Sequence, residues 1–286
     1  PTGTTHSNWI PSELENVKFG PGGTEYLDEE DKYLKIWEVL GETQYAPPEI
    51  IALSFTKPSG ECWLSIHPEF MSEFTEIVLW MENRVKEIRN DEYKQIGISF
   101  VVDDDDNERI KMLSELGYQK DEIEGDKQVL SQDIPIPNYD LPDGYAIRNA
   151  VIEEDHREYR EVQKAVFPHI KEMSQKILQY YSKASFYKKE LDIVAVAPDG
   201  RFAAFCTARI DPVSRVAELE PVGTHPEHRK LGLGKAVICE SLKRLERYNP
   251  YAVVIFGAAP SEGARRLYRS VGFVNEGTRH YWVKTL

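Results

Sequence analysis

Two stretches of this chain, roughly 150 residues apart, carry the same local text, and a repeat at that period means duplicated domains rather than a solenoid. Ser65-Ile-His-Pro-Glu-Phe70 matches Gly223-Thr-His-Pro-Glu-His228, and each follows an extended stretch and precedes a helical pattern. The parallel continues downstream. Ile96-Gly-Ile-Ser-Phe-Val-Val102 corresponds to the buried-strand run Ala252 to Phe256, and the helix from Asn107 to Gly117-Tyr118 corresponds to the one ending at Gly272-Phe273. His67 to Gly117 spans 50 positions and His225 to Gly272 spans 47, so a small insertion aligns them. Prolines 135, 137 and 142 forbid continuous helix between the copies and mark a stiff linker. The expected layout is an irregular arm over 1–20, a first domain over 21–137, a linker over 138–143 and a second domain over 144–286.

Composition narrows the class. The 286 residues are 41% hydrophobic and 11% aromatic, ample for packed cores. With 48 acidic against 35 basic residues the formal charge is −13, which disfavours nucleic acid as a partner. No apolar run has the length of a membrane span, and the N-terminus shows no charged-then-apolar leader pattern, so neither a membrane nor a secretory route is expected. Cys62, Cys206 and Cys239 are odd in number, scattered and without metal-ligand spacing. They read as packed, reduced thiols of a cytoplasmic protein. The Asp103 to Asp106 run reads as a solvated loop before a helix, and no metal site is expected anywhere.

The second copy holds the chemistry. Extended Val216 to Thr224 leads into His-Pro-Glu-His-Arg-Lys-Leu-Gly-Leu-Gly (225–234), followed by an amphipathic helix with Ile238, Leu242 and Leu245 on one face. Arg229, Gly232 and Gly234 therefore sit where a strand turns into a helix. Glycines let the backbone approach a ligand, the helix start offers unpaired N–H groups, and Arg229 with Lys230 adds positive charge; the chemistry suits a pyrophosphate. No Gly-Lys-Ser/Thr completes a P-loop, and Val237 stands where a dinucleotide fingerprint needs its third glycine. Upstream, Tyr145 to Ala150 reads as a strand, Glu154 to Phe167 and Ile170 to Ser185 as helices, and Leu191 to Val196 and Arg201 to Arg209 as a hairpin turning at Ala197 to Gly200. Phe273 to Leu286 reads as closing strands.

Arg229, Gly232, Gly234, Ala264, Leu267, Tyr268, Gly272 and Phe273, in this order and spacing between strands and helices, resemble the acetyl-CoA-binding half of the GNAT superfamily of N-acyltransferases. The resemblance covers about Gly144 to Leu286 and implies an α/β fold with an α+β mixed sheet, here as two tandem GNAT-like domains. One departure is Ser261, where many members carry Asn; a hydroxyl can still cap the helix. By resemblance, acetyl-CoA is the co-substrate. Val222, Gly223 and Thr224 would bond its pantetheine arm through the backbone, Arg229, Lys230, Leu231, Gly232, Leu233 and Gly234 would hold its pyrophosphate, and Ser261 and Tyr268 would line its site. Tyr268 would also be the general acid at the sulfur.

The resemblance further implies direct attack by an amine in a ternary complex, with a carboxylate base on the strand before the loop. Glu218 and Glu220 lie two apart there, so a regular strand points both to one face. Glu220 is slightly preferred as nearer the expected splay, although Pro221 can bulge the strand and change which carboxylate points inward. His225 is matched by His67, which favours a turn role. Aligned on His-Pro-Glu, Arg229, Gly232 and Gly234 become Met71, Phe74 and Glu76; aligned on the glycine, Tyr268 becomes Leu113. The first copy is thus expected to be degenerate. The tandem layout resembles that of mycothiol-synthase-like members. It suggests an acetyltransferase acting on the primary amine of a small molecule, with protein or peptide N-acetylation and a non-catalytic acyl-CoA-binding regulatory module as alternatives. Monomer and homodimer both remain open.

Overall fold

The computed structural model describes residues 30–40, 48–89, 97–131, 134–168, 178–179, 181–212 and 214–286. The expected arm at 1–20, and most of the expected helix from Ile170, lie outside them. Strands and helices are numbered in chain order. The first copy runs β1 (Leu34–Val39), β2 (Glu49–Thr56), β3 (Glu61–Ile66), α1 (Phe74–Ile88), β4 (Ile98–Asp103), α2 (Asn107–Glu115) and β5 (Gln119–Leu130). The second runs β6 (Ala146–Asn149), α3 (Ile152–Val166), β7 (Tyr187–Val196), β8 (Phe202–Ile210), β9 (Val216–Thr224), α4 (Leu233–Leu245), β10 (Ala252–Ala258), α5 (Glu262–Arg269) and β11 (Phe273–Lys284).

The mixed sheets of the two copies follow one plan. β1–β2–β3 and β7–β8–β9 are antiparallel, and a helix crossover then makes β3–β4 and β9–β10 parallel. Each core forms where one face of the crossover helix meets the strands. In α1 these residues are Phe74, Ile77, Val78, Met81 and Val85, packed with Ile66, Ile98, Phe100, Leu113 and Trp282. In α4 they are Leu233, Val237, Ile238, Leu242 and Leu245, packed with β8, β9 and β10. Full burial of such side chains is worth ~1.5–3 kcal/mol each. β8 is buried along its whole length, which is why Phe-Ala-Ala-Phe-Cys-Thr-Ala-Arg-Ile shows no polar alternation.

The compact units divide elsewhere than at the proline-rich stretch. One unit holds Asp126–Glu276; the other holds the described residues up to Gly125 together with Gly277–Leu286. β5 therefore begins in one unit and ends in the other, where Asp126, Gln128 and Val129 pair with β10. β11 crosses in the opposite sense, and its Arg279 to Lys284 pair with β4. The stretch read as a linker belongs to the later unit because Ile136, Tyr139 and Leu141 pack on its core and the Tyr139 hydroxyl donates to Glu240 Oε2 at 2.7 Å. Phe273 to Lys284 is one strand rather than several.

The Asp103 to Asp106 run forms the expected turn before a helix, but only Asp105 is fully exposed in it. Asp103 is buried beside Arg279 at 3.3 Å, Asp104 takes Lys120 at 2.8 Å, and Asp106 caps α2 through the Arg109 amide. Cys62, Cys206 and Cys239 are free and buried, as their packing role requires. Burial pushes all three thiols up, that of Cys206 to about 12.

Candidate active site

β9 and β10 stay paired only from Val216 to Glu218, opposite Ala252 to Val254. Beyond Glu218, β9 keeps β8 on one edge, with Val222, Gly223 and Thr224 opposite Cys206, Phe205 and Ala204. Its other edge opens just before the chain enters the glycine loop. Gly223 has a packing reason to be glycine: a Cβ there would stand 2.6 Å from the Phe205 ring and 2.7 Å from Val166.

The loop is built for close approach by an anion. Gly232 is the N-cap of α4 with φ 79°, and a Cβ at this position would meet nothing within 4 Å. Ala236 N–H is the first to bond back, to the Gly232 carbonyl, so the preceding amides of the helix have no intrahelical partner. No acidic residue occupies the first turn, while Arg229 and Lys230 are exposed beside it. Gly234 is buried, and a Cβ there would stand 2.9 Å from Thr224 Oγ1 and 3.3 Å from Leu267. Leu231 is exposed, whereas Leu233 turns its side chain into the core and can offer a ligand only its backbone. Lys230 itself adopts φ 66°. An open αL glycine, a helix start without acid and two cations fit the pyrophosphate of a coenzyme A thioester.

Of the two carboxylates expected on one face, Glu218 lies in the regular ladder and Glu220 in a bulge just beyond it. Leu219 pairs with Ala208 and Val222 with Cys206, so Glu220 and Pro221 together stand opposite Thr207. Glu218 is largely buried and bound to Arg209, with Oε2 at 3.1 Å from Nη2. Glu220 is exposed. Tyr268 lies buried on α5, its ring 6.1 Å from Phe273. Burial pushes its hydroxyl up, and the Glu220 carboxylate and Cys206 thiol add to the shift, so it keeps its proton at neutral pH. Ser261 caps α5, its Oγ accepting the Ala264 amide at 3.2 Å. Arg265 on the same helix grips buried Asp126 of β5 through two bonds of 2.6 and 2.9 Å, which fixes α5 against the sheet.

Sequence reasoning missed the polar layer beneath. The Asp192 carboxylate accepts from the hydroxyls of Tyr159, Tyr187 and Thr207 at 3.0, 2.9 and 2.8 Å. Burial raises its pKa against those three bonds. Arg209 was read only as a strand end. An arginine closing an otherwise apolar strand was the available signal for a charge pair. His225 behaves as a turn residue: its Nδ1 accepts the Glu227 amide at 3.3 Å, as His67 Nδ1 accepts that of Glu69.

Residues 149–273 match the model of the acetyltransferase (GNAT) family. Mycothiol acetyltransferase of Paenarthrobacter aurescens is 28% identical over 158 residues, covering 53% of this chain and 49% of that protein. The mycothiol acetyltransferase of Streptomyces coelicolor is 26% identical over 155 residues, covering 51% and 47%. The chain thus spans about half the length of the curated relatives it matches. Among solved structures, a GCN5-related N-acetyltransferase from Sphaerobacter thermophilus superposes with TM-score 0.66 at 19% identity, over 100% of this chain and 96% of that one. A tandem GNAT protein from the clavulanic acid biosynthesis pathway gives 0.63 at 16%, over 88% and 82%. The fold is that of GNAT acetyltransferases, tandem members included.

Proposed function

We propose that the chain is an acetyl-CoA-dependent N-acetyltransferase whose acceptor is the primary amine of a small molecule. The observation that carries this reading is the opening of β9 from β10 immediately before an αL glycine at the start of α4, with Tyr268 and Glu220 close enough to influence each other. The family match over residues 149–273 supports acyl transfer, and the relatives' names support a small acceptor. The buried free thiols suit a reducing cytoplasm.

When bound, acetyl-CoA supplies an activated acyl thioester. The amides opening α4, with Arg229 and Lys230, hold its pyrophosphate, and the free edge of β9 orients its arm. Glu220, exposed at the bulge, accepts the proton that the attacking amine must lose, directly or through water. Glu218, largely buried beside Arg209, is the less accessible of the two carboxylates. Tyr268 keeps its proton until the leaving sulfur needs it. Turnover of acetyl-CoA with a panel of small amines, measured alongside coenzyme binding in Tyr268→Phe, tests the reading. An enzyme loses rate and keeps affinity. A chain that binds acetyl-CoA but turns over no amine or peptide would be a binding module instead.

A further inference from the structure

The turn that delivers β9 to the glycine loop carries a constellation that acyl transfer does not use. His225, Glu227 and His228 each offer a ligand atom, and the three atoms lie within 4.8 Å of one another. We propose that this turn is a binding site for a divalent transition-metal ion such as Zn²⁺ or Ni²⁺, held by two imidazoles and one carboxylate. The sequence reading assigned no metal ligand here, because a compact His-Pro-Glu-His turn lacks the spacings familiar from zinc motifs.

The geometry needs little adjustment. Three atoms no more than 4.8 Å apart share a centre within ~2.8 Å of each, against roughly 2.0–2.2 Å for zinc bonds to nitrogen and oxygen. Each ligand must close by about 0.7 Å, within reach of an exposed glutamate and two ring rotations. His225 Nδ1, which accepts the Glu227 amide in the turn and would have to give up that bond to ligate, stands 4.0 Å from Glu227 Oε2. That is too far for a hydrogen bond and near the ~3.4 Å between two ligands of one tetrahedral ion.

The donor chemistry points the same way. His228 Nδ1 is hydrogen-bonded to the Tyr145 hydroxyl at 2.8 Å, while its Nε2 is buried without a hydrogen-bond partner. An unsatisfied buried polar atom is destabilising, and ligation would relieve it. A hydrogen bond on the far ring nitrogen is the usual second partner of a ligating histidine, fixing its tautomer and orientation. The Arg201 and Arg229 guanidinium groups stand within electrostatic reach of His225. The same guanidinium groups repel an ion, and Arg201 Nη1 competes for Glu227 Oε2 at 3.3 Å. Both effects weaken the site. Thiols do not compete, since all three cysteines are buried. The polar cluster around Asp192 differs: three hydroxyls already satisfy that carboxylate.

The first copy supplies an internal control. His67 and Glu69 occupy the same turn, but Phe70 stands where the second copy has His228. The ring pairs match, His67–Phe70 at 5.8 Å and 66°, His225–His228 at 5.5 Å and 60°. A phenyl ring is therefore accommodated by this turn, and the missing donor is the essential difference. An ion held one residue before Arg229 would add positive charge beside the anion-binding loop.

Equilibrium dialysis of untagged protein against Zn²⁺, and separately Ni²⁺, near neutral pH tests the site in wild type, His228→Phe and His225→Gln. Loss of a group that merely hydrogen-bonds a ligating side chain costs about 10–100-fold in metal affinity, so removal of a ligand should weaken binding by at least about tenfold. Wild type should show a Zn²⁺-dependent rise in Tm that both variants lose while remaining folded without metal. Equal binding by wild type and His228→Phe, or no binding by wild type, overturns the proposal.

Discussion

The two copies make the same turn and put it to different ends. In both, a histidine N-cap and a proline open a short 3₁₀ turn after the last strand of the antiparallel run, β3 or β9, and a crossover helix then leads to a parallel strand. Gly117 and Gly272 end the following helices with φ 87° and 110°. The copies part at the helix start. The first extends its turn over Pro68–Glu73 and begins α1 with Phe74, a fully buried ring lying under the Arg109 guanidinium. Glu76 then places a carboxylate in the first turn, opposing any anion at the dipole's positive end. The second stops its turn at His228 and reaches α4 through open Gly232. Leu113, wholly buried, replaces Tyr268. Core positions preserve the fold in both copies, while four or five residues at the helix start separate one that suits an anion by charge and space from one that does not.

The sharpest way to break this comparison is at the tyrosine. Tyr268→Phe should lower kcat by ~10²–10⁴-fold while leaving acetyl-CoA affinity unchanged, as steady-state rates and calorimetry would show. In the first copy, Leu113→Tyr should create no activity and cost ~1–3 kcal/mol by overpacking. A Tyr268→Phe enzyme with undiminished kcat would remove the general-acid role. Next in size, Leu113→Ala should destabilise by ~2–5 kcal/mol in denaturant unfolding, since that leucine serves packing alone.

Gly234→Glu should weaken acetyl-CoA binding by at least about tenfold, through a carboxylate at the helix start and contact with Thr224. Glu76→Gln should change that affinity by less than about twofold; an equal effect would mean both helix starts bind. The smallest expected effect is at Gly232→Ala. Its side chain meets open space, so only the αL strain of ~1–2 kcal/mol remains. Gly117→Ala, at φ 87°, should cost a similar amount without touching acetyl-CoA affinity.

The sequence made these positions legible to different degrees. The glycine loop could be read because αL backbone and helix starts demand few residue types, and Gly232 and Ser261 sit at the caps of α4 and α5 as their chemistry suggested. The repeat could be read because a histidine cap followed by proline leaves a local signature. The boundary between units could not. β5 carries Asp126, Lys127 and Gln128 into the interior, so the strand that completes the later sheet looks polar in sequence. Only the partner 139 positions away, Arg265, explains the burial of Asp126. The difference in burial between Glu218 and Glu220 was equally hidden. It depends on a one-residue bulge and on Arg209 of the neighbouring strand, and neither follows from alternation along β9.

The most direct test of the account is the stoichiometry of acetyl-CoA binding by calorimetry, in wild type and in Gly234→Glu. A single site per chain that is lost in the variant is the expected result. Two sites per chain, or one that survives Gly234→Glu, would contradict the claim that only the second copy kept its anion-binding helix start.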